Sequence, residues 1–85
     1  MNILLVDDEQ EFRSLLAAEM RVKCWTVHTA AHGEEALEIL GKQKVDIVVT
    51  DIYMPVMNGI RLRDMVRQHP KLKDIPILFI SAQSD

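Results

Sequence analysis

Three places in this 85-residue chain join a polar side chain to the end of an apolar run. Asp7-Asp8 follow Ile3-Leu4-Leu5-Val6, Asp51 follows Asp46-Ile47-Val48-Val49-Thr50, and Ser81-Ala82 follow Pro76-Ile77-Leu78-Phe79-Ile80. Short apolar runs of this kind read as parallel strands buried on both faces. Ligands of open parallel sheets bind outside the carboxyl ends of the strands, so these residues are predicted to share one edge. Three carboxylates gathered there repel one another and resist ionisation. A hard divalent cation relieves that repulsion, and Mg2+ suits a site of one or two carboxylates, a carbonyl and retained waters.

Each position also has an ordinary reading when taken alone. Acidic residues before a helix serve as caps, an aspartate after a strand can be a turn residue, and Ser81 can be a loop serine. Their joint placement after successive strands favours a shared site. No Gly-rich phosphate loop, Cys/His metal cluster or Ser-His-Asp arrangement competes with it. His28, His32 and His69 fall on an exposed strand face, a helix start and a helix end, positions that suit solvated or capping roles. Cys24, the single cysteine, reads as a small half-buried residue beside a strand.

The elements that must position these residues follow from periodicity. Asp8 and Glu11 have capping-box spacing, and Phe12, Leu15, Leu16 and Met20 recur at helical intervals. Trp25, Val27 and Thr29 alternate with Thr26 and His28, the pattern of a half-buried edge strand. His32-Gly33 opens a second helix with Ala36, Leu37 and Leu40 inward and Gly41 as its C′ residue. Pro55 and Asn58-Gly59 mark a loop, and a third helix runs from about Gly59 to Gln68 with Leu62, Met65 and Val66 inward. His69-Pro70 stop that helix, and Pro76 takes the tolerated first position of the fourth strand. The order βαβαβαβ predicts a doubly wound parallel α/β sheet of four strands and three helices, in one domain over residues 1–85.

Composition narrows the function classes. Hydrophobic residues make up 48% and charged residues 27%, a globular balance. A net charge of −3 gives no basic footprint for nucleic acid or an anionic membrane. No apolar run approaches the roughly 20 residues of a membrane span. The start at Met1-Asn2 shows no basic leader, and one cysteine fits a reducing cytoplasm.

Four blocks carry a family resemblance: ILLVDDE at 3–9, TAAHGEEAL at 29–37, DIVVTDIYMPVMNG at 46–59 and PILFISA at 76–82. In this order, over nearly the whole chain, they resemble the receiver domains of bacterial two-component response regulators, whose fold is flavodoxin-like. The resemblance implies that Asp51 is the phosphoacceptor, supplied by a histidine kinase or phosphotransfer protein. It implies Mg2+ held by Asp8 directly, by Asp7 mainly through water, by Asp51, and by the backbone carbonyl of Tyr53. Ser81 matches the residue that hydrogen-bonds the phosphoryl group and shifts on activation, and Ala82 the small residue beside it. The Tyr53 ring is either a screen over the acyl phosphate or an exposed loop side chain.

The sequence departs from that pattern at its end. Receiver domains usually continue through another helix, a fifth strand ending in a lysine, and a final helix, whereas this sequence stops at Asp85. A truncated receiver is expected to be phosphorylated slowly or not at all, for want of a cation on the transferring charge. Residues 77–80 are then expected to form an apolar edge strand that pairs with a second copy. The alternative is a receiver-like interaction module that oligomerises without phosphorylation, favoured by the missing lysine.

Overall fold

The computed structural model describes residues 1–80, which form seven elements. In chain order these are β1 (Asn2–Val6), α1 (Gln10–Val22), β2 (Thr26–Ala30), α2 (Gly33–Lys42), β3 (Ile47–Asp51), α3 (Gly59–Gln68) and β4 (Ile77–Ile80). The strands make one parallel sheet in the order β2-β1-β3-β4. The expected doubly wound α/β fold is present, with β1 and β3 central and β2 at an edge.

Alternation along the central strands splits the core into two layers. Leu4, Val6 and Val48 face one way, where Ala36 and Leu40 of α2 and Leu62 and Val66 of α3 close over them. Ile3, Leu5 and Val49 face the other way, against Ala17 of α1. Both faces are covered, which is why β1 and β3 are apolar without alternation. The register decides what happens at the carboxyl edge. Val6 pairs with Ala30 on one side and with Thr50 on the other, so the next residue of β1, Asp7, lies beside Asp51.

Several local expectations need correction. The Asp8/Glu11 capping box does not form: α1 starts at Gln10 after an N-cap Glu9 that makes no side-chain cap bond. The reason lies in Asp7, whose Oδ1 accepts the Glu9 N–H at 2.8 Å and turns the chain into the helix from one residue earlier. Leu15 points outward, 70% exposed, and Met65 is exposed as well; Ala17 is the buried residue of α1, and on α3 Leu62 and Val66 face inward as expected, without Met65. Gly41 lies inside α2, which runs on to Lys42 and a C-cap at Gln43. Cys24 is exposed rather than half-buried, and its φ of 64° reverses the chain between α1 and β2.

Two helix starts follow expectation. His32 caps α2, its Nδ1 accepting the Glu35 N–H, and Asn58 caps α3, its Oδ1 accepting the Arg61 N–H. Polar side chains that replace the missing intrahelical acceptors stabilise such ends by about 1 kcal/mol each. Among the described residues no helix is long and apolar enough to cross a membrane.

Candidate acidic phosphoryl and cation site

The register brings together three carboxylates. Asp7 is the first residue past β1, Asp8 the next, and Asp51 the last residue of β3 rather than the first beyond it. One carboxylate oxygen from each lies within 4.8 Å of the others. Asp7 is fully buried and Asp51 3% exposed, while Asp8 is exposed at the mouth.

Each carboxylate is held by local backbone. The Asp7 N–H donates to the Ala30 carbonyl at 3.1 Å, which extends the β1–β2 ladder by one rung. Arg13, one turn into α1, donates from its guanidinium to the Asp7 carbonyl at 2.7 Å. Asp51 Oδ1 accepts the Tyr53 N–H at 3.1 Å, an Asx-type turn that starts the following loop. The Tyr53 side chain is exposed.

Gly59 explains how α3 meets this edge. A Cβ there would overlap the Asp51 carbonyl oxygen and sit 3.1 Å from Ile52 Cα, both backbone atoms that cannot swing aside. Its N–H donates to the Ile52 carbonyl at 2.9 Å. Glycine is therefore required for the start of α3 to rest on the end of β3. Between them, Met57 N–H donates to the Pro55 carbonyl at 2.7 Å around Val56, whose φ is 68°. Such a three-residue turn with a positive central φ is rare and strained, more so for a β-branched residue.

The electrostatics point to a cation. Burial, followed by the charges of Asp51, Asp8 and Glu9, pushes the Asp7 carboxyl above its ordinary value, and the Glu9 N–H offsets only part of this. Its Oδ2 is buried with no hydrogen-bond partner among the described residues. An unsatisfied buried carboxylate oxygen costs roughly 1–3 kcal/mol or more, unless a proton or a metal ion takes it. Oxygen-only donors at this separation suit a hard divalent cation such as Mg2+. Of the expected site residues, the fold gathers Asp7, Asp8 and Asp51; Tyr53 meets Asp51 through its N–H rather than the carbonyl expected as a ligand, and Ser81 and Ala82 lie outside the described residues. Arg13 was not singled out from the sequence, where its only signal was a cation one turn past an acidic pair.

Comparison with known proteins gives a consistent picture. The profile of the response regulator receiver domain matches residues 3–85. A two-component response regulator of Oryza sativa is 34% identical over 98% of this chain and 57% of its own length. The regulator of RpoS of Escherichia coli is 44% identical over 94% of the chain and 23% of its own length. The chain thus spans well under two thirds of these regulators. Among solved structures, response regulator protein TrrA of Thermotoga maritima, in complex with Mg(2+)-BeF, superimposes with a TM-score of 0.87. It is 37% identical, and the match covers 98% of this chain and 70% of that one.

Proposed function

From the premise that this chain belongs to the response regulator receiver family of two-component systems, we propose that it accepts a phosphoryl group on the carboxylate of Asp51. One observation carries the reading: Asp51 ends a central strand, almost buried, with two further carboxylates within 4.8 Å. A histidine kinase or phosphotransfer protein in a reducing cytoplasm would be the donor.

A carboxylate is a weak nucleophile, so transfer depends on positioning and charge neutralisation. The Tyr53 N–H fixes Asp51 by Oδ1, which leaves Oδ2 to attack. The new bond joins that oxygen to phosphorus, the phosphorus–nitrogen bond of the donor phosphohistidine breaks, and the imidazole takes the electron pair. Asp8 and Asp51 would hold Mg2+ directly with the Tyr53 carbonyl, and Asp7 mainly through water. Bound there, Mg2+ supplies the positive charge that three carboxylates and an incoming phosphoryl group require. Ser81 would donate its hydroxyl to the phosphoryl group, and the small side chain of Ala82 would leave room for it.

The test incubates the protein carrying this chain with Mg2+ and a small acyl phosphate, then looks for an acid-stable, alkali-labile phosphate by intact mass. The adduct is expected in the parent protein and lost in Asp51→Asn. An adduct that survives this substitution overturns the reading.

A second reading has its own observation. Among the described residues β4 is the outer strand of the sheet, and Leu78 on it is 53% exposed. A second copy pairing along β4 would cover both the strand edge and Leu78, making the chain a homo-oligomerising module. Sedimentation velocity showing a dimer that Leu78→Lys dissociates supports this second reading. A parent protein that stays monomeric at high concentration removes it.

A further inference from the structure

Beside the carboxylate cluster, on the side away from β4, lies a cavity of about 420 Å3. It opens between the loops that follow β1, β2 and β3, and its walls are chiefly Ala31, Gly33, Pro55 and Met57. Met57 packs so closely on Gly33 that any Cβ there would displace its side chain. A smooth apolar wall results, large enough for one or two side chains of a partner.

Two further features show what would enter it. Asp8 and Glu34 stand on its lining, and among the described residues no lysine or arginine does, so the local field favours a cation. Among the described residues the one further polar side chain of the lining is His32, whose Nδ1 accepts the Glu35 N–H. At the rim Val56 is 99% exposed on a backbone held at φ 68°. Strain of this kind persists where surrounding structure enforces it, and it clusters at clamps and binding loops. Here it holds an aliphatic side chain out in water at the edge of an apolar hollow.

We propose that this cavity is a docking site for a partner protein's apolar side chain flanked by lysine or arginine. The apolar group fills the hollow against Met57 and Val56, and the flanking cations face Asp8 and Glu34. This goes beyond phosphoryl acceptance, and because the cavity shares Asp8 with the proposed cation site, the peptide's cations and Mg2+ compete for that carboxylate.

The test titrates the isotopically labelled protein, free of Mg2+, with three blocked peptides: Ala-Lys-Phe-Lys-Ala, Ala-Glu-Phe-Glu-Ala and Ala-Lys-Ala-Lys-Ala. The first is expected to shift the amides of Ala31, Gly33, Val56 and Met57 saturably. The other two are expected to bind at least about tenfold more weakly, since each lacks one half of the complement. Glu34→Gln, a surface change outside the phosphoryl site, is expected to weaken the first peptide about two- to fivefold, the range of an exposed ion pair. Equal binding of the glutamate-flanked peptide, shifts that map elsewhere, or no saturable shift overturns the proposal. The titration contains neither Mg2+ nor a phosphodonor, so its failure and a failure of phosphorylation are separate results.

Discussion

Val56→Gly should stabilise the protein, against the usual direction of loop substitutions. The φ of 68° at Val56 is closed in by the Met57 N–H on the Pro55 carbonyl, a geometry that costs an L-residue roughly 1–2 kcal/mol. Glycine removes that cost. The side chain is 99% exposed, so truncation forfeits almost no burial. Against this, glycine gives the unfolded chain extra freedom worth roughly 0.5–1 kcal/mol. The balance is a gain of about 0.5–1 kcal/mol, which in a chain of this size raises Tm by roughly 2–8 °C. Val56→Ala serves as the control, because alanine keeps the Cβ that makes a positive φ costly and should change Tm much less. Thermal and urea unfolding followed by far-UV circular dichroism measure both. A Tm that falls in Val56→Gly, or rises equally in Val56→Ala, would refute the reasoning and place the Val56 backbone outside the left-handed region. The same substitution removes the apolar rim of the proposed docking cavity, so the stabilised variant is expected to bind the lysine-flanked peptide less well.

Gly59→Ala should destabilise by about 1–3 kcal/mol, the usual cost of overpacking, because its Cβ would meet the Asp51 backbone; Gly33→Ala should cost less, since only the Met57 side chain must move, and urea midpoints compare the two. Arg13→Gln, which loses the charged bond to the Asp7 carbonyl, should lower stability by roughly 1–2 kcal/mol and weaken Mg2+ binding measured by calorimetry; Arg13→Lys should recover part of both. The raised carboxyl of Asp7 gives a pH signature. Its folded form holds a proton more tightly than its unfolded form, so its contribution is present below the ordinary value of 3.8 and is lost as pH rises through the raised folded value. Asp7→Asn should flatten that decline in Mg2+-free unfolding curves, and added Mg2+ should offset it in the parent protein.

Much of this site was legible before any coordinates, for a physical reason. The apolar runs ending at Val6 and Thr50 are buried on both faces, so their length locates the strand ends to within a residue and their parallel order gathers Asp7, Asp8 and Asp51. Side-chain direction on α1 and α3 was less legible. Leu15 and Met65 fit the helical spacing as well as the inward residues do, and periodicity alone does not fix how each helix is rolled onto the sheet. The start of α1 was misplaced because Asp8-x-x-Glu11 mimics a cap, whereas the residue that turns the chain is Asp7, through the Glu9 N–H. The left-handed turns at Cys24 and Val56 carry no glycine or asparagine to announce them.

The contact between Gly59 and the end of β3 makes the two walls of the acidic site mechanically unequal. Asp51 stands on a strand laddered to β4 through the Ile52 N–H and the Ile80 carbonyl, with the first residue of α3 braced against its peptide. Asp8 sits opposite on an exposed bend between β1 and α1. Were a cation of different ionic radius held as proposed, adjustment to it would fall to Asp8, while the Asp51 carboxylate would keep its place. Such a site would tolerate exchange of Mg2+ for Mn2+ with little change in the alignment of the attacking oxygen, and its discrimination between metals would reside in the β1–α1 bend.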